Sequence, residues 1–420
     1  MRTFDKCNIL VPQGINLTKW SVVACDQYTS EPDYWDMVSA VAGNEPSCFN
    51  IIYPEIYLNE PDKSERISAI HKTMADYRAK GLFCEYRDSL ILVKRTQRNG
   101  AVRWGLMGAI DLEQYDFSKG STSLVRATEG TVIERIPPRV SIRLEASLEL
   151  PHILMLIDDH NKTVIEPLAA QAESFSKLYD FELMMDSGRL EGYLLDKDTI
   201  NKTLDAIDVL GDRANFVAKY KTDRATLQFA VGDGNHSLAT AKTCWEQIKQ
   251  ELTEEQAKSH PARYALVELT NVHDESLEFE PIHRVVTDTD TEAMIKSFYE
   301  FYPQASHKDN GGQKIIWHTK SQSGAFYVKD APSKLAVGTL GIFLDKYLQE
   351  NKGEVDYIHG EDVTEKLARQ DNAIGFILPS MEKGELFETV IHDGALPRKT
   401  FSMGEAHDKK FYMECKEIVK

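Results

Sequence analysis

Residues 230–242 read AVGDGNHSLATAK, and six neighbours within that run carry the means for chemistry: Gly232, Asp233, Gly234, Asn235, His236 and Ser237. The glycines permit a tight turn or a close approach of backbone to ligand. Asp233 can accept hydrogen bonds or bind a cation, Asn235 and Ser237 can donate, and His236 titrates near neutral pH. Apolar residues precede the run, and Ala241, Trp245, Ile248 and Leu252 then recur on one helical face. A strand over 226–231, a loop, and a helix from 238 to about 252 are therefore expected. Such a loop aims unpaired amides and the positive end of a helix at one point, which suits a phosphate. A glycine turn with an Asn or Ser cap and no ligand would explain four of the same six residues. The run has neither Walker nor Rossmann spacing, and no H-E-x-x-H metal pattern.

Other candidates are scattered. Glu129, in Arg126-Ala-Thr-Glu-Gly-Thr131, could serve as a general base or a magnesium ligand, or could sit in a surface turn. His283 and Arg284 stand in an otherwise apolar stretch, where the histidine could touch substrate or satisfy a structural hydrogen bond. The arginines of 135–143 read either as an anion site or as a solvated helix face. Asp26 and Tyr28 precede a helix start at Ser30 and could simply shape that turn.

The elements that must position these residues follow from periodicity. Helices are expected over 32–41, 63–80, after Pro137-Pro138, and over 292–302. Strands are expected over 49–53, 89–94, 102–112, 152–157, 264–270, 277–286, 314–318, 324–329 and 373–378, with 251–261 a solvated loop. The 420 residues carry a formal charge of −17 and ordinary globular composition, which excludes general disorder. That charge argues against sequence-specific DNA as a partner. No run is apolar enough to span a membrane, the first twenty residues lack a secretory h-region, and the six cysteines form no C-x-x-C pair. Reduced thiols and a cytoplasmic location are expected.

The motifs, taken in order, resemble the uncharacterised bacterial family known as domain of unknown function 1015. Asp233-Gly-Asn-His-Ser237 is similar to its D-G-H-H-R loop, and Pro281-Ile-His-Arg284 to its P-T-H-R. Ala24-Cys-Asp26-Gln-Tyr28 stands at its P-Y-D segment and Tyr53-Pro-Glu-Ile56 at its R-P-E-I. Gly108-Ala-Ile-Asp111-Leu-Glu-Gln-Tyr115 resembles G-A-V-D-L-x-x-Y, residues 126–131 resemble R-x-H-E-x-T, and Pro397-Arg-Lys-Thr400 resembles P-x-K-S/T. The D-G-H-H-R loop is itself similar to the phosphate loop of the ParB, sulfiredoxin and free serine kinase superfamily, whose members bind CTP, ATP or ADP. Here Asn235 replaces a histidine and Ser237 an arginine, so a bidentate phosphate clamp is missing. Arg126, Arg135, Arg139 and Arg284 are the available substitutes. The sulfiredoxin cysteine has no counterpart in the loop.

The resemblance implies an α+β fold with a mixed sheet and flanking helices: an amino-terminal α/β portion (1–120), a ParB/sulfiredoxin-like central region (121–295) and a carboxy-terminal α+β portion (296–420). It implies a nucleotide-dependent phosphotransferase or hydrolase acting on a small molecule, using ATP, ADP or CTP with magnesium. Asp233, His236 and Glu129 are the catalytic candidates, with Asp233 also the candidate magnesium ligand. Gly232, Gly234, Asn235, Ser237, Arg126, Arg139, His283 and Arg284 are the candidate phosphate or nucleotide contacts. Two other readings compete: a ParB-like nucleotide switch without turnover, and a metal-dependent hydrolase built on Asp233, His236 and His283.

Overall fold

In the computed structural model, which describes residues 2–419, the strand before the glycine loop forms at Phe229–Asp233 and lies inside a ten-stranded mixed sheet. In chain order its strands are β1 (Phe4–Asp5), β2 (Ile91–Thr96), β3 (Val102–Asp111), β4 (Tyr115–Asp116) and β5 (Val125–Ala127). They continue with β6 (Leu154–Ile157), β7 (Ser176–Glu182), β8 (Arg189–Leu194), β9 (Phe229–Asp233) and β10 (Tyr264–Asn271). Side by side the order is β7-β8-β2-β3-β10-β6-β9-β5-β4, with β1 paired to β3. The pairs β9–β5, β10–β6 and β4–β5 are parallel, and the rest are antiparallel. The central strands β6, β9 and β10 are near-continuous apolar runs, as strands covered on both faces must be.

The helices that matter to the site are α1 (Pro32–Ala42), α2 (Lys63–Ala79), α3 (Ile136–Arg143), α4 (Lys197–Leu210) and α5 (Asn235–Lys249). Pro137 and Pro138 occupy the first turn of α3, where a missing N–H costs nothing, and α3 packs on α5. α5 begins three residues earlier than its apolar period suggests, because Gly234 alone makes the turn, at φ +78°.

Two local expectations fail. The apolar run at 49–53 is not a strand but a 3₁₀ turn at Cys48–Asn50, with Ser47 accepting from the Phe49 amide. A local side-chain bond offers the backbone an alternative to a ladder. Within 251–261, Glu254–Ser259 is a helix, started by a reciprocal Thr253–Gln256 capping box that the charged composition masked.

The chain divides into two compact units, Met1–Leu277 with Glu405–Lys420, and Glu278–Gly404. An expected boundary near 120 falls between β4 and β5, which pair directly, and β3 on one side of it pairs with β10 on the other. The second unit holds a seven-stranded sheet with β11 (Phe279–Thr287), β12 (Ala305–Ser306), β13 (Gln313–Thr319), β14 (Ser323–Val328), β15 (Glu354–His359), β16 (Ile374–Ile377) and β17 (Phe401–Met403). Their order is β12-β14-β13-β16-β11-β15, with β17 on β11. Its helix α6 (Thr291–Phe301) runs through the expected boundary at 295. No helix among the described residues is long and apolar enough to cross a membrane.

Candidate functional site

Gly234 makes the turn from β9 into α5, and Gly232 lets the end of β9 lie close to β6. A Cβ on Gly234 would stand 3.0 Å from Ile153 Cα, and one on Gly232 would stand 2.8 Å from Leu156 Cγ. The chain can therefore lie flat against β6 and its lead-in only without side chains there. The first amide of α5 to find a protein acceptor is that of Leu238, which bonds Gly234 O at 3.0 Å. Among the described residues, the amides of Asn235, His236 and Ser237 donate to no protein acceptor.

The segment containing Glu129 is stitched onto this turn from a hundred residues away. The Thr128 amide donates to Asn235 Oδ1 at 3.2 Å, and the Thr128 hydroxyl donates to Val231 O at 2.6 Å. The Val132 amide donates to His236 Nε2 at 3.3 Å. Glu129 and Gly130 are exposed at the bend between these anchors. Because Nε2 of His236 accepts, the neutral ring carries its proton on Nδ1. Burial, then the nearby Arg139 and Arg135, push this imidazole below its ordinary value against a smaller opposing pull from Asp26.

Ser237 joins a second polar chain. Its Oγ lies 2.9 Å from His152 Nε2, and His152 Nδ1 lies 2.8 Å from the Tyr412 hydroxyl. That hydroxyl also accepts the Cys25 amide at 3.1 Å. His152 Nε2 faces both Ser237 Oγ and, at 3.6 Å, Asp26 Oδ2, so the imidazole links Ser237 and Asp26 on one side to Tyr412 on the other. Burial works against the charge on Asp26, yet His152, the Gln27 side chain and Lys409 together hold its carboxyl below the usual range. Burial pushes the Cys25 thiol far up, which keeps it protonated.

Positive charge gathers here without the missing arginine. Lys409 Nζ lies 3.2 Å from Asp233 Oδ2. Arg139 holds Glu55 through its Nε at 2.9 Å and lies, with Arg135, near enough to depress His236. Arg126 is buried in another role, donating to the carbonyls of Ser123, Ala225 and Thr226. His283 and Arg284 belong to the second unit. There the buried His283 Nδ1 accepts the Leu378 amide at 3.1 Å. Arg284 donates to the carbonyls of Ile282, Arg398 and Lys399 and lies over the Tyr357 ring.

The structure thus gathers Asp233, Asn235, His236, Ser237 and Arg139 around one helix start and sets Glu129 on the adjoining bend. His152, Lys409 and Tyr412 were missed by sequence reasoning. His152 looked like the start of a strand, and no motif marks the other two. Asp26 was noticed as a turn residue and within the P-Y-D segment, but not as a member of the site.

Among the described residues, no group of three or more His, Cys, Asp or Glu side chains is placed to hold a metal ion. An ammonium already faces Asp233, so these residues do not build a cage for a resident metal.

Solved structures similar to this chain include free serine kinase in complex with AMP, 11% identical, with a TM-score of 0.37 over 75% of this chain and 91% of that one. A mutant of the same kinase in complex with ADP gives 11% identity and a TM-score of 0.37, over 76% and 93%. A conserved hypothetical protein from Pyrococcus furiosus gives 11% and 0.35, over 75% and 95%. No curated protein matches the chain in sequence. The family described as protein of unknown function DUF1015 matches residues 10–371, which takes in the glycine loop, the 126–131 segment, Asp26 and His152 but not Lys409 or Tyr412. The chain belongs to that family.

Proposed function

We propose that the start of α5 binds the phosphate of a nucleotide, and that the protein is a nucleotide-dependent phosphotransferase or hydrolase acting on a small molecule. One observation carries this reading: three successive unpaired amides, 235–237, open α5 behind the Gly234 turn. An anion at a helix start gains about 0.3–1 kcal/mol from the helix dipole, and up to about 2 where partly buried. Charge-assisted bonds from the amides add to that. His236 supplies a neutral Nδ1–H donor, and Lys409, Arg135 and Arg139 supply the field that the family arginine would otherwise give. Asp233 orients Lys409 and its own Gly234 amide. Glu129 offers a second carboxylate on the adjoining exposed bend. Any magnesium would arrive with the nucleotide, held largely by phosphate oxygens.

Calorimetric titration with ATP, ADP and CTP in the presence of magnesium tests the reading, on the wild type and on His236→Ala. At least one nucleotide is expected to bind, more weakly to the variant, with release of nucleoside diphosphate or phosphate on turnover. Failure of all three to bind ends the proposal. Binding without product would leave a nucleotide switch.

A further inference from the structure

Ser237 serves two neighbourhoods. Its amide belongs to the row of phosphate donors, while its side chain stands in the wall of a cavity of about 150 Å³. That cavity is lined on most sides by apolar groups, among them Ile51, Ile52, Leu58, Met74, Ile142 and Leu148. One end is polar, where Ser237, His152 and Tyr412 meet it. The other charged side chains in the lining are compensated within the protein. Arg139 is paired with Glu55, and Arg143 with Glu149, which also accepts the Leu266 amide at 2.8 Å. The cavity is partly open to solvent, and an apolar space of roughly this volume accommodates a benzene-sized molecule.

The polar end constrains the head group of an occupant. A carboxylate would meet the ionised Asp26, which sits 3.6 Å from His152 Nε2. An ammonium finds no carboxylate in the lining left without a cation, since Glu55 faces Arg139 and Glu149 faces Arg143. A hydroxyl needs no counter-charge, and it can donate to and accept from the groups present.

We propose that this cavity holds a second substrate: a small neutral alcohol with an apolar body about the size of a benzene ring, its hydroxyl at the Ser237–His152 end. The role of that alcohol rests on the phosphate reading, whereas its binding does not. In transfer, the hydroxyl oxygen forms a bond to the terminal phosphorus of a nucleoside triphosphate. The bond from that phosphorus to the bridging oxygen breaks, the nucleoside diphosphate leaves with the electron pair, and the hydroxyl proton passes to the Asp26 carboxylate.

Benzyl alcohol, toluene and benzoate are the probes, followed through the methyl resonance of ¹³C-labelled Met74 in the full chain. Benzyl alcohol is expected to shift that resonance saturably. Toluene and benzoate should bind at least about five-fold more weakly, the equivalent of one lost hydrogen bond. Ile142→Trp, which fills the cavity from α3, should abolish the shift while nucleotide affinity stays within about two-fold, the change expected of a substitution outside the donor row. No Met74 shift with benzyl alcohol, or equal binding of toluene or benzoate, overturns the proposal. If the variant does not fold, the wild-type ranking of the three probes decides alone. A Met74 shift in a protein that binds no nucleotide keeps the alcohol site and removes its transfer role. Nucleotide binding without that shift removes the alcohol site and leaves the phosphate reading intact.

Discussion

His236 and His152 lie on either side of one helix turn. His236 accepts the Val132 amide at Nε2, and His152 bridges the Ser237 and Tyr412 hydroxyls through its two ring nitrogens. Burial and neighbouring arginines lower the folded-state value of His236 below the ordinary 6.5 or so, so the unfolded chain binds that proton more readily. The stabilisation from a neutral His236 is therefore complete above about pH 6.5 and is lost as pH falls through the depressed folded value. His236→Gln, which cannot titrate, should flatten the urea-measured stability profile below that pH. Identical profiles for the two proteins would contradict a buried neutral ring. Gly234 sets the same turn by other means. At φ +78°, and with Ile153 Cα 3.0 Å from any added Cβ, Gly234→Ala should destabilise by about 1–3 kcal/mol in denaturant unfolding.

The strands and helices follow rules that are local, and the ion pairs between them do not. Helix α2 was legible from Ile67, Ile70, Met74 and Tyr77, and β3 and β10 from their apolar runs, because burial on a regular element leaves a period. Glu268 shows where that legibility stops. In the sequence it is one polar residue inside a buried strand. In the fold it lies against Lys410, 142 residues away, at 2.5 Å, and against Arg103 Nε at 3.5 Å. Gly105 makes room for it, since a Cβ there would stand 2.5 Å from Glu268 Oε1. The same limit hid His152, Lys409 and Tyr412 from the site, for each is defined by what it meets across the sheet. Burial opposes the charge on Glu268, but Lys410 and Arg103 outweigh it and hold the carboxyl below its ordinary value. The stability this pairing gives is present above the unfolded carboxyl value and is lost as pH falls through the lower folded one. Lys410→Met should cost about 3–5 kcal/mol by leaving that buried carboxylate only the more distant Arg103, and adding Glu268→Gln should recover part of the loss. A double variant no more stable than the single one would show that the ion pair is not what Lys410 contributes.

Taken whole, the chain builds most of its first unit, leaves after Leu277 to make the second, and returns at Glu405 to finish the first. The returning segment is not decoration. Trp20, fully buried, donates its indole N–H to Met413 O, Leu10 and Cys415 exchange two backbone bonds, and the Ala24 amide donates to Lys410 O. Lys409 and Tyr412 of the same segment carry a cation and a hydroxyl to the candidate site. Cutting the chain after Gly404 would expose the face that Phe411, Tyr412 and Met413 cover and strip Glu268 of Lys410. Each fully buried apolar side chain lost in this way is worth about 1.5–3 kcal/mol, so three of them together with the ion pair approach the whole stability of an ordinary domain. The second unit has its own sheet and keeps its chain intact, so its loss is not required. Hydrogen exchange on the truncated chain should find protection gone from β3 and β10 yet retained in β13 and β16. Uniform retention would mean that the first unit folds without its last strand-forming residues and that Lys410 is dispensable to it. Uniform loss would mean instead that the two units unfold as one.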